Sequence, residues 1–103
     1  MPKLTRTAFA PHQNTTFRLS QQTDEVPSLD LELVEVADKT PEGFAGEQFS
    51  LIFKGPLDVP LYQQTYVLEH EAMGAVALFL VPVGQQDDGM LYEAFFNLSG
   101  DAQ

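Results

Sequence analysis

Few side chains in this chain could do acid–base or nucleophilic chemistry, and their surroundings narrow what that chemistry would be. There are two histidines, His12 and His70, and no cysteine, so a hydroxyl nucleophile would have to draw its base from one of these imidazoles. Neither sits in a recognisable catalytic motif. His70 ends an alternating stretch in Leu68-Glu-His-Glu71, where two flanking acids would favour the protonated ring. The plain reading is a rim histidine in a local ion pair; the reactive one is a general base or metal ligand working with Glu69 or Glu93. Glycosidase-type chemistry needs two carboxyls facing each other across a cleft at roughly 5–10 Å. Glu32, Glu35, Glu69 and Glu93 lie on strand-like segments and could supply them, although acids on the solvated face of a sheet explain the same pattern. Glu93 differs in having mostly apolar neighbours, Leu91, Tyr92, Ala94 and Phe95. If buried, it would need Arg18, Lys54 or a tyrosine hydroxyl as partner.

Other site chemistries find little to stand on. Asp87-Asp-Gly89 resembles a piece of a calcium loop but lacks the alternating oxygen ligands and the terminal bidentate Glu. Neither glycine pattern that cradles nucleotide phosphates occurs, so no metal and no cofactor is expected. Eight Phe and three Tyr could stack on bases, but such platforms work beside basic grooves and the chain has five basic residues. The aromatics are read as core, with Tyr62 as the exposed contact. The chain is therefore read as a non-enzyme, with Tyr62, Gln64, Tyr66, His70 and Glu93 as candidate binding residues.

The elements that must position these residues are strands. Gly74-Ala-Val-Ala-Leu-Phe-Leu-Val-Pro-Val-Gly84 and Met90-Leu-Tyr-Glu-Ala-Phe-Phe-Asn97 read as a central hairpin. The first strand is apolar on both sides, which predicts an interior strand with both faces covered. Gly89 is expected to take a positive φ in the connecting turn, and Gly74 to make a tight one. Upstream, Thr5-Arg-Thr-Ala-Phe-Ala10 can form a turn or two of helix capped by Thr5 and halted by Pro11, with Leu4 and Phe9 as anchors plugging one end of a sheet or barrel. Asn14 to Leu19 gives a strand with Phe17 and Leu19 inward, and residues 20–28 a polar, mobile connection. Leu29-Asp-Leu-Glu-Leu33 alternates strictly, and the phase then slips, since Val34 and Val36 continue on the other parity. A bulge near Leu33 and Val34 would keep the apolar groups inside while bending the strand. Residues 37–47 read as a loop pinned by Phe44. Residues 48–54 and 61–70 complete about six strands.

Connections this short favour antiparallel pairing, so the fold class is all-β: a small antiparallel barrel or tight sandwich with a short N-terminal helix. The 103 residues fit a single domain, with a folded core over 4–97 and a frayed tail over 98–103. Its net charge of −10 disfavours nucleic acid and anionic membranes. Residues 1–23 carry +3 and the remainder −13, a split that either steers contacts between copies or is complemented within one fold. The start lacks an apolar core of signal-peptide length, and the longest apolar run, residues 75–83, is about half of a spanning helix. A cytoplasmic location is expected.

At Leu31-Glu-Leu-Val-Glu-Val36, Thr65-Tyr-Val-Leu-Glu-His70, Leu78-Phe-Leu-Val-Pro-Val-Gly84 and Tyr92-Glu-Ala-Phe-Phe-Asn97 the chain resembles a family of small bacterial domains of unknown function. The likeness runs from Leu4 to Asn97 and departs at Gln64, where the family's turn has Gly. It implies a common fold and assigns no catalytic residue. It also implies a structural or assembly role, as an accessory of a phage-tail-like particle that binds a protein partner or its own copies. A small-molecule or glycan binding barrel, with a pocket lined by Tyr and Phe, is the alternative.

Overall fold

The alternation of apolar and polar residues carries into six strands. A computed structural model describes residues 5–19, 28–59 and 61–99. A one-turn helix α1 (Arg6–Phe9) runs into a 3-10 turn (Ala10–His12), followed by β1 (Thr16–Leu19), β2 (Leu29–Asp38), β3 (Gly46–Gly55), β4 (Gln64–His70), β5 (Gly74–Gln86) and β6 (Gly89–Ser99). All neighbours pair antiparallel, in the order β1-β2-β3-β6-β5-β4 with β4 returning to β1. Two three-stranded meanders thus close into a ring, an irregular barrel. The residues between β3 and β4 cross from one meander to the other.

The closure depends on strands that change partner. β2 pairs with β1 up to Glu32 and with β3 from Glu32 onward, and its register slips between Leu33 and Glu35. Val34 is the extra residue, at the place the parity change predicts. Because of it Leu29, Leu31 and Leu33 are buried, Glu35 is exposed, and Val36 returns to pack on the core. β5 does the same without that sequence signal: residues 74–80 pair with β4 and residues 81–86 with β6. A second slip lies between Pro82 and Gly84, where proline supplies no N–H to the ladder.

Inside the ring the side chains interlock. Phe49 and Phe96, opposite one another on β3 and β6, stack at 4.6 Å between ring centroids, and Phe17 meets Phe53 edge-on at 5.3 Å. The helix is the plug that its cap and Pro11 predict. Thr5 Oγ1 accepts the Ala8 N–H at 3.3 Å, and Phe9, fully buried, lies 5.7 Å from Phe96, 6.2 Å from Phe49 and 6.5 Å from Phe17.

Several expectations need correction. The outward side chains of β5 are not covered; Ala75, Ala77 and Phe79 are exposed, because the ring has only one apolar layer and its outside meets solvent. Gly89 does not have a positive φ, whereas Gly43 and Gly74 do. What requires glycine at 89 is proximity, since a Cβ there would lie 2.6 Å from Lys54 Cγ and 2.9 Å from the Gly55 carbonyl oxygen. Phe44 is 36% exposed and is not among the residues packed on the core. β6 runs on to Ser99, and Leu98 packs on the core, so the strand does not fray from 98. Leu4, the connection 20–27 and the tail 100–103 lie outside the described residues.

Two substitutions test this packing. Phe9→Ala removes the buried anchor of α1 and should lower unfolding free energy by about 3–5 kcal/mol in a denaturant titration. Gly55→Ala would place a Cβ 2.5 Å from Leu31 Cδ2 inside the sealed ring, and an overpacking loss of about 1–3 kcal/mol is expected.

Candidate functional site

The end of the ring plugged by α1 holds both histidines. β4 alternates with Tyr66 and Leu68 inward, so His70 also points in and Glu69 points out. The Nδ1 atom of His70 accepts the backbone N–H groups of Ala72 (3.0 Å) and Met73 (3.2 Å) in the β4–β5 turn. Two donors on Nδ1 assign the ring proton to Nε2, which donates to Thr15 Oγ1 at 2.9 Å. The Thr15 hydroxyl in turn donates to the His12 carbonyl. The His70 ring is also packed 4.4 Å from Phe17 and 4.5 Å from His12, centroid to centroid.

This is a neutral, structural histidine. The protonated form expected from Glu69 and Glu71 is not supported, because alternation sends Glu69 outside and burial removes the water that would solvate a cation. Burial pushes the His70 pKa below its ordinary value, the nearby His12 adds to the effect, and Glu71 opposes it. With both ring nitrogens bonded within the fold, action as a base or metal ligand would first break the β4–β5 turn.

The other end is closed by tyrosines. Tyr66, buried, donates its hydroxyl to the Tyr62 carbonyl at 2.8 Å, and burial raises its pKa. The Tyr92 hydroxyl accepts the Leu61 N–H at 2.9 Å. Both interior rings thereby hold the crossing segment over the ring's mouth. Tyr62 itself is 83% exposed, as expected of a contact residue. Gln64 begins β4 and is exposed. From Gln64 to His70 the strand spans about 20 Å, and Glu93 is half-buried on the outside of β6, between Ile52 and Val81. The structure joins Tyr62 to Tyr66 and leaves Gln64, His70 and Glu93 apart, so the five do not form one site.

The cations proposed for Glu93 are engaged elsewhere. Arg18 pairs with Asp30 at 3.4 Å and Lys54 with Asp88 at 2.8 Å, so part of the charge split is complemented within the fold. Lys54 bonding holds Asp88 below the usual carboxylate range, which gives the Asp87-Asp88 turn a role in anchoring β3 to the β5–β6 hairpin. Among the described residues no three His, Asp or Glu side chains are grouped to hold a metal ion, and no helix is long and apolar enough to cross a membrane.

What residue-by-residue reasoning missed is a surface. Val67 on β4, Phe79 on β5 and Phe95 on β6 project outward and are exposed, Phe79 at 50% and Phe95 at 55%, and Val83 at the β5 bulge is exposed as well. The signal is the two-sided apolar pattern of β5, which by itself does not distinguish a covered face from an exposed one. These three strands carry no Lys or Arg, and their acids are Glu69 and Glu93.

The histidine network predicts a pH dependence. In the unfolded chain His70 takes a proton near pH 6.5, which the native ring resists, so stability should fall as pH drops below about 6.5, at most by about 1.4 kcal/mol per unit. Asp38 and Asp88, both lowered from 3.8, lose their contributions only at more acid pH. Thermal unfolding between pH 7.5 and 5 should therefore show this loss in the wild type and a flatter profile in His70→Asn, whose amide oxygen can accept from the turn.

No curated protein and no solved structure matches this chain. A family model does, over residues 4–96, nearly the whole described ring. On that match the chain belongs to the DUF6916 family, a domain of unknown function.

Proposed function

We propose that the domain is a non-enzymatic protein-interaction module that docks its partner on the outer face of β4, β5 and β6. The observation that carries this reading is the exposure of Val67, Phe79 and Phe95 on a face whose apolar residues are not needed by the core, which is filled from the opposite side of the same strands. Exposed apolar side chains gathered on one face rather than scattered are the usual mark of a docking surface. Further support is that the chemistry-bearing groups are spent on structure: His70 on a turn, Tyr66 and Tyr92 on the crossing segment. Service as an accessory of a phage-tail-like assembly is the finer form of this reading and draws on the resemblance alone. A small-molecule or glycan pocket has less behind it, since Phe17, Phe53, Tyr66, Tyr92 and the inward leucines occupy the interior.

The test is size-exclusion chromatography with light scattering, on the domain alone and mixed with the products of neighbouring genes. A complex is expected with one of them, and Phe79→Ser combined with Phe95→Ser should weaken it at least ten-fold with little change in melting temperature. Inert monomer in every mixture would defeat the proposal.

A further inference from the structure

The long strand β5 leaves part of its backbone without a partner. Its pairing with β6 stops at Val81 and Glu93, so residues 74–80 pair with β4 alone and residues 94–99 pair with β3 alone. Which backbone groups face the opening follows from Pro82. Lacking an N–H, Pro82 cannot exchange hydrogen bonds with Tyr92, so in this ladder Val81 and Glu93 form the hydrogen-bonded pair. By the two-residue alternation, Phe79, Ala77 and Ala75 aim their N–H and C=O groups the same way, toward the β6 side. Among the described residues no strand pairs with them there. Natural edge strands guard such groups with proline, lysine or a covering element. Here Pro82 marks where the opening begins, and the edge beyond it carries alanines and the exposed Phe79, with Phe95 exposed on the facing strand.

Charge selects the occupant. No basic residue lies on β4, β5 or β6, while Glu93 sits opposite Val81 where the opening begins, Glu69 opposite Ala75 on the neighbouring strand, and Glu71 in the β4–β5 turn at its far end. Arg18, opposite Glu69 in register, is bound to Asp30. A second copy of this chain would bring the same three glutamates to one seam and add another −10. We propose that an extended, Lys- or Arg-bearing segment of a partner protein pairs in strand fashion with the free edge of β5 over residues 75–79, seating apolar side chains against Phe79 and Phe95. Main-chain hydrogen bonds supply the affinity, and the alternating side chains the selectivity. This deepens the interaction reading above and rests on it.

Three labelled nine-residue peptides test it: one alternating valine with lysine, one with glutamate for lysine, and one with lysine kept but two central valines replaced by proline. Fluorescence anisotropy should show the Val/Lys peptide binding at least ten-fold tighter than either other. At saturation the amides of Ala75, Ala77 and Phe79 should exchange with deuterium at least ten-fold more slowly. Ala77→Pro removes the central N–H at a position where an edge strand tolerates proline, and it should cost at least ten-fold in affinity. Phe79→Lys, which keeps every N–H, should do the same if the proline variant fails to fold. Equal binding of the proline peptide, protection outside residues 75–79, no binding by any peptide, or a homodimer protected at these amides would overturn the proposal. If Phe79→Ser with Phe95→Ser abolishes the partner complex while Ala77→Pro leaves it intact, the docking face stands and strand pairing falls; if neither variant affects it, both fall.

Discussion

The ring holds together because β2 and β5 each serve two partners. A strand that leaves one neighbour for another must bend, and a bend in a paired strand costs ladder hydrogen bonds unless a residue is inserted to absorb it. The insertion shifts every later side chain to the other face, so the sequence beyond the bulge has to change parity or turn its apolar groups to water. β2 meets this condition at Val34, after which Val36 rejoins the core. β5 meets it at Val83, where the residues that follow are polar and leave the core behind.

Closing the two ends then consumes the polar groups that look most chemical. At one end His70 is bonded through both nitrogens, joining the β4–β5 turn to the residues that lead into β1. At the other, two tyrosine hydroxyls satisfy backbone groups of the crossing segment. Among the described residues no buried side-chain nitrogen or oxygen lacks a partner. Fully bonded buried groups rigidify a fold and fix a single arrangement of its interior. That is why the functional proposal rests on the outside of the ring.

On the outside, β5 combines features that core formation does not explain. Its inward residues, Val76, Leu78 and Leu80, are buried, yet the outward row is apolar as well. A strand needs only one apolar face to sit in a ring. The second face lies next to a backbone edge that no strand pairs, with Glu69 and Glu93 on the flanking strands, and it is the face on which the docking proposal rests.

The strand alternation, the parity slip at Val34, the capped turn of helix ending at Pro11 and the inward set Phe17, Leu19, Phe49, Leu51 and Phe53 were legible in the chain itself. Each is a local consequence of a two-residue or helical repeat and of backbone sterics. Which strands became neighbours, the Val83 bulge, the reason for Gly89, the state of His70 and the exposure of the outer face of β5 were decided only by tertiary structure. Those depend on what lies across the sheet or beyond its surface. Glu69 and Glu71 flank His70 along the chain, but Glu71's pull toward the protonated ring is outweighed by burial and the ring of His12, and two amides of the turn occupy Nδ1, all placed there by the fold. A repeat along a strand records which residues share a side; it carries no record of whether that side meets another layer, a partner or water.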